Sequence, residues 1–143
     1  MKTVPYSFSL ALPDGWEDRT IYSFVGPDDG DLQHIITLTI DDSPVSDAVA
    51  EFARDRIAAT MASLQAAEKV KDDAIQLPGG REAWELVYKW VPADNTPRFG
   101  KCLYLLIDGV GYVFTGTFTK KTIKTIALEM DQMAAALTPP PKK

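Results

Sequence analysis

The chain has 143 residues, of which 45% are hydrophobic and 24% are charged, and its formal net charge is −5. This length and composition predict a single globular domain, residues 1–138, with a disordered tail at 139–143. The negative balance argues against a nucleic-acid-binding surface, because phosphate recognition needs a concentrated positive field.

Targeting and redox signals are sparse. Cys102 is the only cysteine, so no disulfide can form within the chain. The first fifteen residues lack the continuous apolar run of a signal peptide, and nowhere do about 20 consecutive apolar residues suggest a membrane span. We therefore expect a cytoplasmic protein that does not insert into membranes; a chain trimmed of its signal peptide would have the same sequence.

Three strands are predicted in the first third of the chain. Residues 6–11 alternate between large apolar and small side chains, which is the period of a strand. A turn at Pro13-Asp14-Gly15 follows, since proline fixes φ and glycine tolerates positive φ. Residues 20–25 and 34–41 repeat the alternation on either side of a loop.

A helix is predicted next, starting at Ser43-Pro44 and running to about Ala67. Serine suits a helix cap and proline the first helical position. The large apolar residues of this stretch recur every three to five positions, which predicts a wide buried stripe.

The second half of the chain predicts four strands and a final helix. A hairpin is expected around Asp108-Gly109, because this dipeptide favours the tight turn between two strands. The predicted elements are strands at 69–76, 81–91, 101–107 and 111–119, and a helix at 121–137. Two helices among sequential hairpins indicate an α+β domain, an antiparallel sheet of six to seven strands covered by two main helices.

Strand alternation divides the side chains between two faces. The heavier set is predicted to pack under the helices: Phe8, Tyr22, Phe24, Ile36, Leu38, Trp84, Leu86, Tyr88, Trp90, Phe114 and Phe118. The opposite face mixes β-branched apolar groups with hydroxyls and comprises Ile21, Ser23, Ile35, Thr37, Thr39, Val87, Val113, Thr115 and Thr117. This second face is either a solvated sheet surface, on which threonine is common, or a shallow groove for an apolar ligand or helix.

Catalytic and metal-binding patterns are missing. His34 is the only histidine, so the one conceivable nucleophilic pair is Cys102 with His34, in a hydrolase. Cys102 lies in an apolar strand, where a small buried side chain is its usual role. The acidic loop Asp28–Asp31 has a calcium-loop composition but lacks the glutamate needed at the twelfth position. We expect no enzymatic activity, no metal and no cofactor, with a small-ligand binder as the other alternative.

Two stretches carry a family resemblance. The first, LPDGWEDRTIYSF at residues 12–24, joins an apolar strand to a short alternating strand through Pro-Asp-Gly-Trp. The second is GREAWELVYKW at residues 80–90. Together with the order of elements they resemble the DcrB/PsbP-like (Mog1p/PsbP-like) domain family over almost the whole chain. The resemblance implies that Trp16 is a structural plug at the edge of the core.

Within that family, the missing signal peptide makes the chain similar to the cytoplasmic Eag-type chaperones of type VI secretion. The resemblance implies a homodimer whose sheet face binds the apolar N-terminal helices of a secreted effector, here through the mixed face from Ile21 to Thr117. Ser23 departs from the family's apolar pattern, and Gln65 is the only glutamine of the first helix, so no client-contacting glutamine is carried over. The alternative is a generic small-ligand or protein-binding domain of the same family without a secretion role.

Overall fold

A computed structural model describes residues 8–42, 44, 46–64, 66–92 and 95–139. The strands are β1 Ile21–Asp28, β2 Gln33–Asp41, β3 Glu68–Gln76, β4 Glu82–Trp90, β5 Arg98–Ile107 and β6 Val110–Phe118. The helices are α1 Val49–Ser63 and α2 Ala127–Ala136, the second preceded by a 3-10 turn at Thr122–Lys124.

The six strands form one antiparallel sheet in the order β1-β2-β6-β5-β4-β3. β1 and β3 are therefore the two edges. The predicted α+β class, with an antiparallel sheet and two main helices, is confirmed.

The two helices lie on opposite faces of the sheet, so each face has its own core. On the α1 face, Phe52, Ala53 and Ile57 pack on Leu86, Tyr88, Cys102 and Tyr104. On the α2 face, Ala127, Met130 and Ala134 pack with residues of β2, β5 and β6. We refer to these as the α1 face and the α2 face.

Two strand glycines let the helices approach the sheet closely. A Cβ on Gly111 would lie 2.3 Å from the Phe52 ring of α1, and one on Gly116 would lie 2.9 Å from Met130 of α2. Both distances are shorter than heavy atoms tolerate, so the absence of a side chain at these two positions fixes how each helix sits.

The predicted turns are present. Asp108 and Gly109 both have positive φ, 53° and 79°, as a two-residue hairpin turn of type I′ requires. At the other end, the Trp16 N–H donates to the Pro13 carbonyl at 3.1 Å, and Gly15 has a φ of 90°.

The structure of the amino-terminal segment differs from the predictions. Residues 6 and 7 of the predicted first strand lie outside the described residues, and residues 8–11 are not in a strand. Trp16 was expected to plug the core, but 73% of its surface is exposed. That prediction is wrong because the turn carries the ring onto the surface of the segment that precedes β1. Trp84 is partly buried, and its Nε1 donates to Asp72 Oδ1 at 2.7 Å.

Both helices are shorter than predicted. α1 begins at Val49, and Ser46 organises its start: Ser46 Oγ accepts from the Ala48 N–H at 3.1 Å and donates to Glu51 at 2.8 Å. Ser43 lies outside the described residues, as does the predicted tail beyond residue 139. At the far end of α2, one Arg81 nitrogen donates to the carbonyls of Ala134 and Leu137, which satisfies acceptors that a helix end leaves free.

Candidate functional site

The α1 face is only half covered. α1 packs on β4 and β5, while β1, β2 and β6 extend beyond it. Strand register places nine side chains on this uncovered part, which we call the open half-face. Its members are Ile21, Ser23, Val25, Ile35, Thr37, Thr39, Val113, Thr115 and Thr117.

The residues of the open half-face stand in rows across three strands. Ile21 pairs with Thr39, which pairs with Val113, and Ser23 pairs with Thr37, which pairs with Thr115. Val25 and Ile35 form the next row. Because paired side chains in adjacent strands are close neighbours on one face, the nine form one continuous surface.

This surface is apolar, hydroxyl-bearing and uncharged. Val25 is 70% exposed, Ile21 59% and Ile35 43%. The hydroxyls are only weakly engaged: Thr37 Oγ1 lies 3.5 Å from the Thr115 carbonyl, and Thr115 Oγ1 lies 3.7 Å from the Cys102 sulfur. Such hydroxyls remain able to bond a partner's polar atoms.

A cleft lies at the Ile21 end of the open half-face. Its volume is about 680 Å³, and its walls include Trp16–Ile21, Thr39, Val113 and Arg56. Arg56 is ion-paired with Asp41 at the end of β2, and its guanidinium carbon stands 4.1 Å above the centre of the Phe52 ring. The cleft therefore joins the open half-face to α1 and to the segment preceding β1.

The sequence identified most of this surface. Eight of the nine predicted binding residues lie together on the open half-face. Val87 does not: it pairs with Lys101, lies on the α2 face and is buried. Val25 belongs to the surface and was missed, although it continues the alternation of Ile21 and Ser23.

The division into faces was wrong for β4. Trp84, Leu86, Tyr88 and Trp90 were assigned to the same face as Tyr22 and Ile36, but they lie on the α1 face. Alternation within a strand fixes which residues share a side, whereas the relation between strands depends on loops and register. Since each face carries a helix, heavy side chains occur on both.

Cys102 and His34 are on opposite faces of the sheet. Cys102 pairs with Thr115 and is buried beneath α1, where burial raises the pKa of its thiol. His34 is buried on the α2 face, with its ring 5.7 Å from that of Phe118. The hydrolase pairing considered from the sequence is therefore not formed.

His34 is held as a structural residue. Its Nδ1 is 2.7 Å from the Pro27 carbonyl, so Nδ1 carries a hydrogen, and its Nε2 is 2.9 Å from Thr122 Oγ1. Thr122 Oγ1 also accepts from the Thr119 N–H at 2.8 Å. Nδ1 thus ties β2 to β1, and Nε2 ties β2 to the turn that leads into α2.

The acidic loop is a turn stabilised by its own side chains. Asp29 Oδ1 accepts from the N–H groups of Asp31 and Leu32, both at 3.0 Å, and these bonds lower the pKa of Asp29. In the part of the chain that the structure describes, no group of three or more His, Cys, Asp or Glu side chains could hold a metal ion. Nor does any helix there have the length and apolar character needed to cross a membrane.

A buried charge cluster on the α2 face was not anticipated. The Lys101 side chain is 5% exposed, and its Nζ lies 2.8 Å from Asp131 Oδ1 of α2 and 3.3 Å from Glu85 Oε2 of β4. Asp131 Oδ1 is in ion-pair contact but is not aligned with a hydrogen-bond donor. Lys101 begins the strand predicted at 101–107 but is the fourth residue of β5, which places it inside the sheet.

Comparison with known proteins gives a family and a fold. The family model of DcrB matches residues 8–135. A solved structure of a Pseudomonas aeruginosa protein of unknown function, described as a candidate regulator, superposes with a TM-score of 0.69. The two chains are 20% identical over 92% of this chain and 90% of the other, so this likeness concerns the fold alone. No curated protein matches the chain.

Proposed function

Because the chain belongs to the DcrB family, we propose that it is a non-enzymatic chaperone or adaptor whose open half-face shields an apolar segment of another protein. The client class that this surface suits is a secreted effector with apolar N-terminal helices, held in the cytoplasm before export by a type VI secretion system.

One observation carries the proposal. The open half-face is a continuous uncharged surface beside a helix, with exposed isoleucine and valine side chains and loosely bonded hydroxyls. Contiguous exposed apolar side chains are typical of interaction sites. A groove bounded on one side by α1 is the shape into which an apolar helix packs.

The energetics are adequate for reversible binding. Burying one side of an apolar helix removes several hundred square ångströms from water, which is about 10 kcal/mol gross at ~25 cal/mol per Å². Loss of translational freedom and ordering of side chains offset a large part of this gain. A single charge placed on the open half-face should therefore be enough to prevent binding of the client.

A second candidate, small-ligand binding in the cleft beside Trp16, has one observation in its favour. Its volume of about 680 Å³ is within the range of small-molecule sites. Its walls, however, carry six charged side chains, Glu17, Asp18, Arg19, Asp41, Asp42 and Arg56. Such sites are mostly apolar, so this cleft suits the polar flank of a larger partner better than a drug-sized ligand.

We expect Ile35→Asp to abolish client binding while leaving the fold intact. The substitution places a desolvated, unpaired carboxylate in the interface, which should weaken binding at least about 100-fold. The measurement is co-purification and aggregation of a co-expressed effector that carries an N-terminal apolar segment. Val70→Asp is the matched control, since Val70 is also an exposed strand residue, 51% against 43%, but lies on β3 at the opposite edge of the sheet.

Three results would count against the proposal: both variants retain the client, both lose it equally, or the wild-type chain leaves the apolar segment to aggregate. Far-UV circular dichroism and thermal unfolding of both variants separate loss of binding from loss of fold. Retention of the client by Ile35→Asp together with loss of a bound small molecule on altering Arg56 would favour the cleft instead.

A further inference from the structure

The uncharged surface of the open half-face runs into the cleft beside Trp16. Its rows extend along the strands from Val25 at one end to Ile21 at the other. Asp41, two residues beyond Thr39 and on the same side of β2, already belongs to the walls of the cleft. A helix that lies along the strands therefore passes from an uncharged surface into a charged cleft.

The cleft has a surplus of negative charge. Its walls carry two more negative than positive groups, with Glu17, Asp18, Asp41 and Asp42 against Arg19 and Arg56. Both guanidinium groups are already ion-paired inside the cleft, Arg19 with Glu17 at 2.9 Å and Arg56 with Asp41. Asp18 and Asp42 form no ion pair with any residue that the structure describes, so the surplus charge is theirs.

An ionised carboxylate and an exposed aromatic ring stand together in this cleft. Asp18 Oδ1 accepts from the Thr20 hydroxyl at 2.6 Å and from the Thr20 N–H at 2.9 Å, and these bonds lower the pKa of the Asp18 carboxyl. They use one oxygen, which leaves the other able to accept from a partner. The Trp16 ring is 73% exposed on the same wall. Carboxylates and aromatic faces are the groups that bind ammonium and guanidinium side chains.

An acidic partner group would fit this cleft less well. Arg56 is ion-paired with Asp41 and stacks on the Phe52 ring, 4.1 Å from its centre. An incoming carboxylate would have to break that ion pair, and it would be repelled by Asp18 and Asp42. The charges of the cleft therefore favour a cationic occupant.

We propose that the cleft binds lysine or arginine residues flanking the apolar helix of the client, and so sets the direction in which that helix lies on the open half-face. This inference rests on the shielding function proposed above. Membrane-type helices carry lysine and arginine beyond their apolar run, because charge is costly within it. Val25 and Ile21 are about 13 Å apart along β1, which a helix covers in about nine residues. We expect the basic residues about that far from the other end of the bound run.

The test uses three peptides with one shared apolar helical segment. They differ only in two residues at one end, which are both arginine, both glutamine or both glutamate. In fluorescence anisotropy titrations with the full-length chain at low salt, the arginine peptide should bind about tenfold more tightly than the glutamine peptide, as two exposed ion pairs allow. The glutamate peptide should bind more weakly than either, and added salt should reduce these differences.

Two double variants locate the preference. Asp18→Asn with Asp42→Asn should reduce the arginine preference to about twofold or less. Asparagine at position 18 keeps the oxygen that Thr20 contacts, so the turn is retained. Glu68→Gln with Glu129→Gln is the matched control, because it removes the same charge from exposed positions on β3 and α2. This control should keep the tenfold preference.

A nitroxide label at the arginine end of the peptide tests the direction. It should broaden the methyl signals of Ile21 and Val113 more than those of Val25 and Ile35, and the reverse pattern would contradict the proposal. Equal affinity for the three peptides, or equal loss of preference in the two double variants, would also overturn it while leaving the shielding role intact. If none of the peptides binds, the shielding function and the cleft proposal both fail.

Discussion

Lys101→Ala is expected to destabilise the fold by about 3–5 kcal/mol, because it leaves buried carboxylates without their cation. Asp131 then has no ion-pair partner among the described contacts, and Glu85 keeps only Lys71 at 3.7 Å. The cluster joins α2 to β4 and β5, so the loss should loosen α2 on the sheet. Urea unfolding measures the effect as a lower midpoint with an unchanged slope.

Lys71→Ala is the matched control. Its side chain is 65% exposed and contacts the same Glu85, so its removal should change stability by less than about 0.5 kcal/mol. Neutralising the whole cluster with Lys101→Met, Glu85→Gln and Asp131→Asn should recover much of the stability that Lys101→Ala loses. Equal effects of Lys101→Ala and Lys71→Ala would show that the buried cluster does not hold α2.

Phe52→Ala is expected to cost about 3–5 kcal/mol, the usual range for removing a buried aromatic ring. Phe52 is 1% exposed, contacts Tyr104 edge-on with ring centres 6.4 Å apart, and lies over Gly111. It is the main anchor of α1, and the Arg56 guanidinium stacks on its outer side. Chemical denaturation gives the loss directly.

The Gly111 contact supplies an internal check on this prediction. Gly111→Ala should destabilise the wild-type chain, since its Cβ would meet the Phe52 ring at 2.3 Å. In the Phe52→Ala background the same methyl group enters vacated space and should be neutral or stabilising. Equal destabilisation by Gly111→Ala in both backgrounds would contradict the packing of Phe52 on Gly111.

The sequence predicted the order of the elements better than their relation in space. Alternation located β1, β2, β4 and the hairpin at Asp108-Gly109, because these signals are local. The assignment of the β4 side chains to a face was wrong because the register between distant strands has no local sequence signal. The prediction that Trp16 is buried was wrong because it was inferred from a family motif, whereas the ring's exposure depends on the path of the preceding turn.

The residues of the open half-face could be predicted from the sequence because of their composition. A strand surface that no helix covers is free to carry threonine and β-branched residues without large aromatics, and this composition marked eight of its nine members. Lys101 could not be found in the same way, because its burial depends on α2 and β4, which are distant in sequence.

The most direct test of client binding by the open half-face is methyl NMR of the protein during addition of an apolar helical peptide taken from the start of a secreted effector. We expect methyl signals of Ile21, Val25, Ile35 and Val113 to shift, while those of Val70 and Leu128, which are exposed on β3 and α2, do not. Shifts centred on Val70 or Leu128, or none at saturating peptide, would contradict the assignment of the open half-face as the client-binding surface.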